Sequence, residues 1–120
     1  MERIFQLAKR LRDPGGCPWD AEQTLASAAK CLREEVQELS EAVDAADPAH
    51  IREEIGDCLW NIAFLIYLCE EKGLFAHDEP FMAILEKLVR RHPHVFGSEK
   101  AATAEEALKA FNREKAREKG

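Results

Sequence analysis

The stretch EEVQELSEAVDAADPAHIREEIGD, residues 34–57, decides the fold of this chain of 120 residues. Two acidic groups stand on either side of Asp47-Pro48, a pair typical of a helix start, because aspartate caps the first turn and proline fits the first helical position. Apolar residues recur at steps of three and four in the flanking segments. The stretch therefore predicts two helices that fold back on each other as an antiparallel hairpin.

The predicted hairpin brings acidic side chains of its two helices together. Glu35 and Asp57 are equally far from residue 46, and so are Glu38 and Glu54, so we expect each pair to face across the hairpin. Carboxylates this close repel one another unless their pKa values rise or a cation binds. Oxygen ligands suit Mg²⁺, Mn²⁺ or Ca²⁺. The spacing predicts a metal site, and the alternative is the solvated acidic face that most helical glutamates form.

The remainder of the chain also has helical periodicity, and no segment alternates as a strand does. Asp20 and Gln23 have the form of a capping box, so we expect the second helix to begin just after Asp20. These patterns predict an all-α fold, a helical bundle that forms one domain over residues 1–120. Helices are predicted over residues 1–12, 21–45 and 48–72, from Asp78 to Arg91, and from Thr103 onward, with residues 92–97 as an extended connector.

The third predicted helix becomes apolar on every side after Asp57, in the run from Cys58 to Cys69. A helix that is apolar all round has to be covered all round. This pattern predicts a homodimer with the run at the centre of the interface, and a tetramer is the alternative assembly. The run has twelve residues, too few to span a bilayer, so no membrane partner is expected.

The composition and the net charge limit the possible binding partners and the cellular compartment of the protein. The net charge of −6 argues against a nucleic-acid partner, which favours a basic face. The four cysteines are scattered without the spacing of a zinc site, and the N-terminus has no pattern of a signal peptide. We therefore expect a cytoplasmic protein in a reducing compartment.

A basic group, Lys87, Arg90 and Arg91, closes the fourth predicted helix. Cations at a helix C-terminus are favoured by the helix dipole, which is the simpler explanation. Near a site of metal and carboxylates, the same group is better interpreted as a clamp for phosphate.

Two further side chains are candidates for contact with a substrate. Asn61 lies one turn after the second acidic group, and a buried amide has to be hydrogen-bonded. Three roles are open for this amide: a hydrogen bond to a neighbouring helix, contact with the edge of a base, or a hydrogen bond to a metal-bound water. Trp19 either stacks on a base or closes one end of the bundle.

Several of these motifs together closely resemble the MazG family of all-α nucleoside triphosphate pyrophosphohydrolases. The motifs follow in order along nearly the whole chain: CPWD at 17–20 with Gln23-Thr24, EEVQE at 34–38, EIGD at 54–57, and KLVRRHPHVF at 87–96. The resemblance implies that Mg²⁺ is bound by four carboxylates and that phosphates are contacted by two cations. The carboxylates are Glu35, Glu38, Glu54 and Asp57, and the cations are Lys87 and Arg91.

Two features depart from the family pattern. Many members carry two tandem copies of the domain, whereas this chain has one. Where some members have a tryptophan near the nucleotide, this chain has Phe111, which keeps an aromatic ring.

The resemblance implies Mg²⁺-dependent hydrolysis of nucleoside triphosphates to monophosphate and pyrophosphate, in the clearance of nucleotide pools. Mn²⁺ is the expected substitute for Mg²⁺. Glu34 or Glu38 is expected to orient or deprotonate the attacking water, and Glu35 to take part in catalysis through the metal. The alternatives are a related enzyme acting on dUTP, dCTP or a phosphoribosyl nucleotide, and a non-catalytic helical interaction module.

Overall fold

The computed structural model describes residues 2–119, which form helices and, within that range, no strand. The all-α prediction is confirmed. The chain divides into two compact units, Met1–His77 and Asp78–Gly120. The first unit holds α1 (Glu2–Arg12), α2 (Pro18–Ala21), α3 (Leu25–Asp44) and α4 (Pro48–Glu71), and the second holds α5 (Glu79–Arg90), α6 (Pro93–Phe96) and α7 (Ala104–Lys119).

The start of α3 differs from the prediction. Thr24 is the N-cap, and its hydroxyl accepts a hydrogen bond from the Ser27 N–H at 3.2 Å, while the Ser27 hydroxyl accepts from the Thr24 N–H at 2.9 Å. The predicted box of Asp20 and Gln23 is therefore wrong. The reciprocal pair at Thr24 satisfies two free N–H groups at once, so the helix begins four residues later, at Leu25 rather than Ala21.

Both ends of α4 follow the prediction closely. The Asp47 carboxylate accepts from the His50 N–H at 3.4 Å, and Pro48 occupies the first helical position. At the other end, Gly73 has a φ of 75°, and the N–H groups of Gly73 and Leu74 bond carbonyls in the last turn of the helix. This is the Schellman arrangement, in which glycine accepts the left-handed backbone without a steric penalty.

The turn between α3 and α4 is short and strained. Residues 45–47 connect the helices, and Ala46 has a φ of 54°, a left-handed conformation that an alanine side chain disfavours. The hairpin therefore reverses at residue 46, the pivot that the spacing of the acidic residues predicts.

The core of the first unit joins α1, α3 and α4. Ala8, Ala28, Phe64 and Leu68 are buried together. Partly buried side chains surround them, namely Leu25, Trp60, Leu65 and Tyr67. Small alanines on α1 and α3 let these helices approach the larger side chains of α4, so that the core fixes the hairpin against α1.

Arg12 connects three helices of this unit. Its guanidinium forms two hydrogen bonds with the Glu71 carboxylate of α4, at 2.9 Å and 2.6 Å. A third nitrogen donates to the carbonyls of Asp20, Ala21 and Gln23 at 2.7, 3.3 and 3.2 Å. The segment after α1, which includes Trp19, is thereby held against the end of α4.

The second unit contains one correction to the prediction. Residues Pro93–Phe96 form the short helix α6, where an extended connector was expected. The N–H groups of Val95 and Phe96 both bond the His92 carbonyl at 3.0 Å, because proline at the first position of a helical turn favours the turn rather than preventing it.

Among residues 2–119, none of the helices combines the length and the hydropathy needed to cross a lipid bilayer.

Candidate functional site

Three of the four predicted carboxylates form one cluster in the hairpin. Glu35 and Glu38 of α3 and Glu54 of α4 each contribute an oxygen that lies within 4.8 Å of the other two. Glu54 is 6% exposed, Glu35 is half-buried and Glu38 is exposed. The cluster therefore extends from the interior of the hairpin to its surface.

The electrostatics of the cluster are unfavourable without a cation. The pKa of Glu35 is raised to about 7, first by burial, next by a hydrogen bond with the Glu54 carboxyl group, and then by the negative charges of Glu38 and Asp57. The Oε2 atoms of Glu35 and Glu54 are buried and have no hydrogen-bond partner among the described residues. Buried carboxylate oxygens without partners are costly, so the site calls for a proton or a cation.

The donor set fits a hard divalent cation. All the clustered ligands are carboxylate oxygens, which is the chemistry of Mg²⁺ and Mn²⁺ sites rather than of zinc or copper sites. The two orphaned oxygens are available as ligands. A divalent charge at this position would offset the repulsion that raises the pKa of Glu35.

Asp57 and Glu34 lie outside the cluster. The carboxylate of Asp57 is not in the group of mutually close oxygens found among the described residues, although its charge raises the pKa values of Glu35 and Cys58. Glu34 is exposed on α3 and lines an open groove of about 600 Å³ together with Glu38. The structure thus places Asp57 near enough for its charge to act on the cluster and leaves Glu34 on the surface.

A cavity of about 190 Å³ adjoins the cluster at Glu35. Two other predicted residues, Trp19 and Asn61, line it. Trp60 stacks on Phe64 with ring centroids 5.5 Å apart and supplies a second aromatic surface. The complete lining is Trp19, Gln23, Ala28, Cys31, Glu35, Trp60, Asn61 and Phe64. Flat aromatic walls beside an amide and a carboxylate suit a planar, polar ligand such as a nucleobase.

Asn61 bonds its own helix rather than a neighbouring one. Its Nδ2 donates to the backbone carbonyl of Asp57 at 2.8 Å, one turn earlier in α4. This bond fixes the amide at the wall of the cavity. Trp19 is 60% exposed, so most of its ring is open to solvent or to a ligand.

In the second unit, the two arginines of the basic group are bound to a carboxylate of α7. Glu118 accepts from Nη2 of Arg91 at 2.6 Å and from Nε of Arg90 at 2.6 Å, and these two contacts, that with Arg91 first, lower its pKa to about 2. Arg91 also lies over the ring of Phe111, 5.4 Å from its centroid. Lys87 is half-buried one turn before Arg91. The two arginines thus converge on one oxyanion.

The sequence patterns do not indicate two residues that lie near the cluster. The Nε2 atom of His50 lies 3.2 Å from Oε1 of Glu54, and the spacing of four residues within one helix is the signal that could have revealed it. Cys58 is buried one turn after Glu54, and its pKa is raised mainly by burial and then by the charges of Glu35, Glu54 and Asp57. A thiol kept protonated in this way is inert.

The fold and site define an all-α protein with a carboxylate cluster in a helical hairpin, next to an aromatic cavity. The chain belongs to the family of the MazG nucleotide pyrophosphohydrolase domain, whose sequence profile matches residues 23–96.

Several known proteins are similar to this chain. The nucleoside triphosphate pyrophosphohydrolase of Escherichia coli K12 is 38% identical over 120 residues, covering 99% of this chain and 46% of the relative. The nucleoside triphosphate pyrophosphohydrolase/pyrophosphatase MazG of Thermotoga maritima is 41% identical over 96 residues, covering 80% of this chain and 38% of the relative. The chain thus spans less than half the length of these two relatives.

A solved structure, that of a mazG-related protein from Thermotoga maritima, matches almost end to end. It superposes with a TM-score of 0.80 at 29% identity, covering 97% of this chain and 99% of the other.

Proposed function

We propose that this chain hydrolyses nucleoside triphosphates between the α- and β-phosphates, giving a nucleoside monophosphate and pyrophosphate. The observation that carries the proposal is the cluster of Glu35, Glu38 and Glu54, with two orphaned buried oxygens, beside an aromatic cavity. Membership of the MazG nucleotide pyrophosphohydrolase domain family supports it. Clearance of unwanted nucleotides from the cellular pool is the proposed role.

The cluster is proposed to hold Mg²⁺, with Mn²⁺ as a substitute. Glu35, Glu38 and Glu54 supply ligand oxygens, and Asp57 contributes charge or a further ligand. When bound, the cation supplies Lewis acidity toward phosphate oxygens and toward a water molecule. The raised pKa of Glu35, to about 7, is the expected state of such a site before a cation replaces the proton.

A carboxylate of α3 is proposed to deprotonate the attacking water. The water oxygen bonds to the α-phosphorus while the bond from that phosphorus to the bridging oxygen breaks, so pyrophosphate leaves with the electron pair. Glu38 is favoured over Glu34 as the base, since only Glu38 has an oxygen within the cluster. One of its two oxygens would bind the cation and the other would take the proton.

The cavity is proposed to bind the base of the nucleotide. Trp19 offers an exposed ring for stacking, and Asn61 offers an amide held in place by its bond to the Asp57 carbonyl. Selectivity among bases, including dUTP, dCTP and modified nucleotides, would depend on this cavity.

The cations of the second unit are proposed to bind phosphate oxygens. Glu118 supports this proposal, because its carboxylate is held by Arg90 and Arg91 together, as a phosphate can be. Lys87 adds a third positive charge, and Phe111 supports Arg91 through the face of its ring.

The assembly of the protein is proposed as a homodimer, with a tetramer as the larger alternative. The hairpin exposes five large apolar side chains that a second copy would cover, and they are 42–54% exposed: Val36, Val43, Ile55, Leu59 and Ile62. We also propose one domain over residues 1–120, since the family match crosses both units, and a cytoplasmic location, since the four cysteines are free.

Release of pyrophosphate from a panel of ordinary and modified nucleoside triphosphates, with and without Mg²⁺, tests the proposed reaction. We expect release only with Mg²⁺ or Mn²⁺, and its loss in Glu54→Gln. The matched control is Glu53→Gln, which neutralises the adjacent exposed carboxylate of α4 and is expected to retain activity. If no nucleotide in the panel releases pyrophosphate while the helical circular dichroism signal is intact, the proposal is contradicted and a non-catalytic interaction module is favoured.

A further inference from the structure

His50 contacts the carboxylate cluster from outside. It lies in the first turn of α4, where its backbone N–H is bonded to the Asp47 carboxylate at 3.4 Å. Its side chain is 47% exposed, yet its Nε2 atom lies 3.2 Å from Oε1 of Glu54, whose side chain is 8% exposed. The ring therefore bridges the solvent and an almost buried carboxylate.

The two oxygens of Glu54 have different surroundings. The Nε2 atom of His50 lies 3.2 Å from Oε1, whereas Oε2 is buried and has no hydrogen-bond partner among the described residues. A polar neighbour beside one oxygen of a carboxylate limits the orientation of the group and leaves the other oxygen for a ligand. Without that neighbour the side chain is freer to turn about its terminal torsion, which is broad and roughly two-fold.

The geometry also separates His50 from the candidate metal ligands. In the part of the chain that the structure describes, the mutually close group comprises Glu35, Glu38 and Glu54, and the His50 nitrogen does not belong to it. Any influence of His50 on a bound ion is thus exerted through Glu54.

We propose that His50 is a positioning residue of the cation site, an inference that rests on the proposed function. The contact of its Nε2 atom with Oε1 of Glu54 limits rotation of the carboxylate and keeps Oε2 available to a divalent cation. The imidazole also covers the solvent side of the carboxylate, so water competes less for the ligand oxygen. The acid cluster alone would bind the ion more weakly.

Mn²⁺ serves as the probe, titrated into the full chain while free Mn²⁺ is followed by electron paramagnetic resonance. We expect His50→Ala to weaken Mn²⁺ binding by about 10- to 100-fold, the usual effect of losing such a partner. His50→Gln retains an N–H donor of similar reach and is expected to bind within about threefold of the parent, which is less than 1 kcal/mol.

Arg52→Gln is the matched control, because it removes an exposed positive charge from the same part of α4 without touching Glu54. Its Mn²⁺ affinity should stay unchanged or rise slightly, since the change lowers the local positive charge. If charge acted on the site in a general way, the Mn²⁺ affinity would change in Arg52→Gln as well as in His50→Ala.

Three results would overturn the inference. Parent-like affinity in His50→Ala removes the positioning role and leaves the proposed metal site intact. A nitrogen coupling in the electron spin echo spectrum of bound Mn²⁺, lost in His50→Ala, would make His50 a direct ligand. A collapse of the helical signal in the variants would assign a structural role instead. If the parent binds Mn²⁺ no better than Glu54→Gln does, the metal site itself fails, and the proposed function fails with it.

Discussion

The carboxyl groups of Glu35 in α3 and Glu54 in α4 lie together across the hairpin, with one oxygen of each, and one of Glu38, within 4.8 Å of one another. Burial is the main reason that the pKa of Glu35 is raised to about 7, and the neighbouring Glu54 carboxyl group is the next. The close approach of these carboxylates destabilises the protein without a cation, and it also provides oxygen ligands for a cation. Stability and metal binding are therefore opposed at these residues.

Glu35→Gln is expected to raise the melting temperature of the metal-free protein, because it removes a carboxylate from the repelling cluster. The gain should be about 4 °C for each kcal/mol of repulsion relieved in a protein of this size. In the parent, Mg²⁺ at 100 times its dissociation constant should add about 2.7 kcal/mol of stability, and in Glu35→Gln this addition should be lost. Thermal scans with and without Mg²⁺ measure both effects.

The control for this prediction is Glu53→Gln, which neutralises an exposed acid of α4. It should leave the response to Mg²⁺ in place. A Glu35→Gln protein that is less stable than the parent without metal would show that the cluster is not repulsive.

The comparison of Glu38→Gln with Glu34→Gln addresses which carboxylate activates the water. We expect Glu38→Gln to lower kcat by about 10²- to 10⁴-fold, the range for loss of a general base, and to keep its helical circular dichroism signal. Glu34 lies outside the cluster, so Glu34→Gln should change kcat by less than about tenfold, or 1.4 kcal/mol in the barrier. Steady-state kinetics of pyrophosphate release gives both values, and the reverse order of effects would assign the base to Glu34.

Glu118 of α7 is expected to compete with phosphate for the arginines of the second unit. Removing its charge in Glu118→Gln should strengthen the binding of pyrophosphate by about 2- to 5-fold, since exposed ion pairs are weak. Isothermal titration calorimetry measures the change. Glu114→Gln is the matched control on the same helix, because Glu114 pairs with Arg117 rather than with Arg90 or Arg91. Weaker binding in Glu118→Gln would mean that Glu118 supports the arginines instead of occupying them.

The hairpin turn offers a test of backbone strain. Ala46 has a φ of 54°, so Ala46→Gly should stabilise the protein by about 0.5–1 kcal/mol, the steric penalty of alanine in this region less the greater freedom of glycine when unfolded. Ala45 has a φ of −77°, a right-handed value that alanine favours, and Ala45→Gly should therefore destabilise by about 0.5–1 kcal/mol. Urea denaturation of both variants checks the opposite signs, and two changes of equal sign would contradict the assigned turn.

Local spacing in the sequence predicts the hairpin, its pivot at residue 46 and the meeting of acidic side chains. It does not predict which of them lie closest together. The neighbour of Glu35 expected across the hairpin is Asp57, and the structure brings an oxygen of Glu54 within 4.8 Å of Glu35 as well. The difference is one helical turn, which counting from the pivot cannot resolve, because side chains tilt along the helix and choose among rotamers.

Contacts between residues far apart in the chain are not predicted by local sequence patterns. The guanidinium of Arg12 bonds Glu71, and Glu118 bonds both Arg90 and Arg91, although nothing in the local pattern of charges connects them. By contrast, the contact of His50 with Glu54 follows from a spacing of four residues within one helix. The capping of α3 at Thr24 was also local, but serine in place of the usual glutamate concealed it.

The bridge from His77 to Glu70 makes the stability of the first unit depend on pH. The His77 ring and its backbone N–H both donate to the Glu70 carboxylate, and the ring also contacts Glu2 of α1 at 3.2 Å. The hydrogen bond to Glu70 is the main reason that the pKa of His77 is raised above 6.5, and the N–H of His77 is the main reason that the pKa of Glu70 is lowered below 4.5.

The signs follow from linkage. A raised histidine pKa gives stability that is fully present below pH 6.5 and is lost as the pH rises through the folded-state value, whereas a lowered carboxyl pKa gives stability that is present above pH 4.5 and is lost on acidification. We therefore expect the difference in melting temperature between the parent and His77→Gln to be largest between pH 4.5 and 6.5 and to shrink toward pH 9. His92→Gln, which alters a histidine of the second unit, is the control for a general effect of removing a histidine. A difference for His77→Gln that stays constant across this range would mean that packing of the ring on Phe5, and not its charge, accounts for the stability.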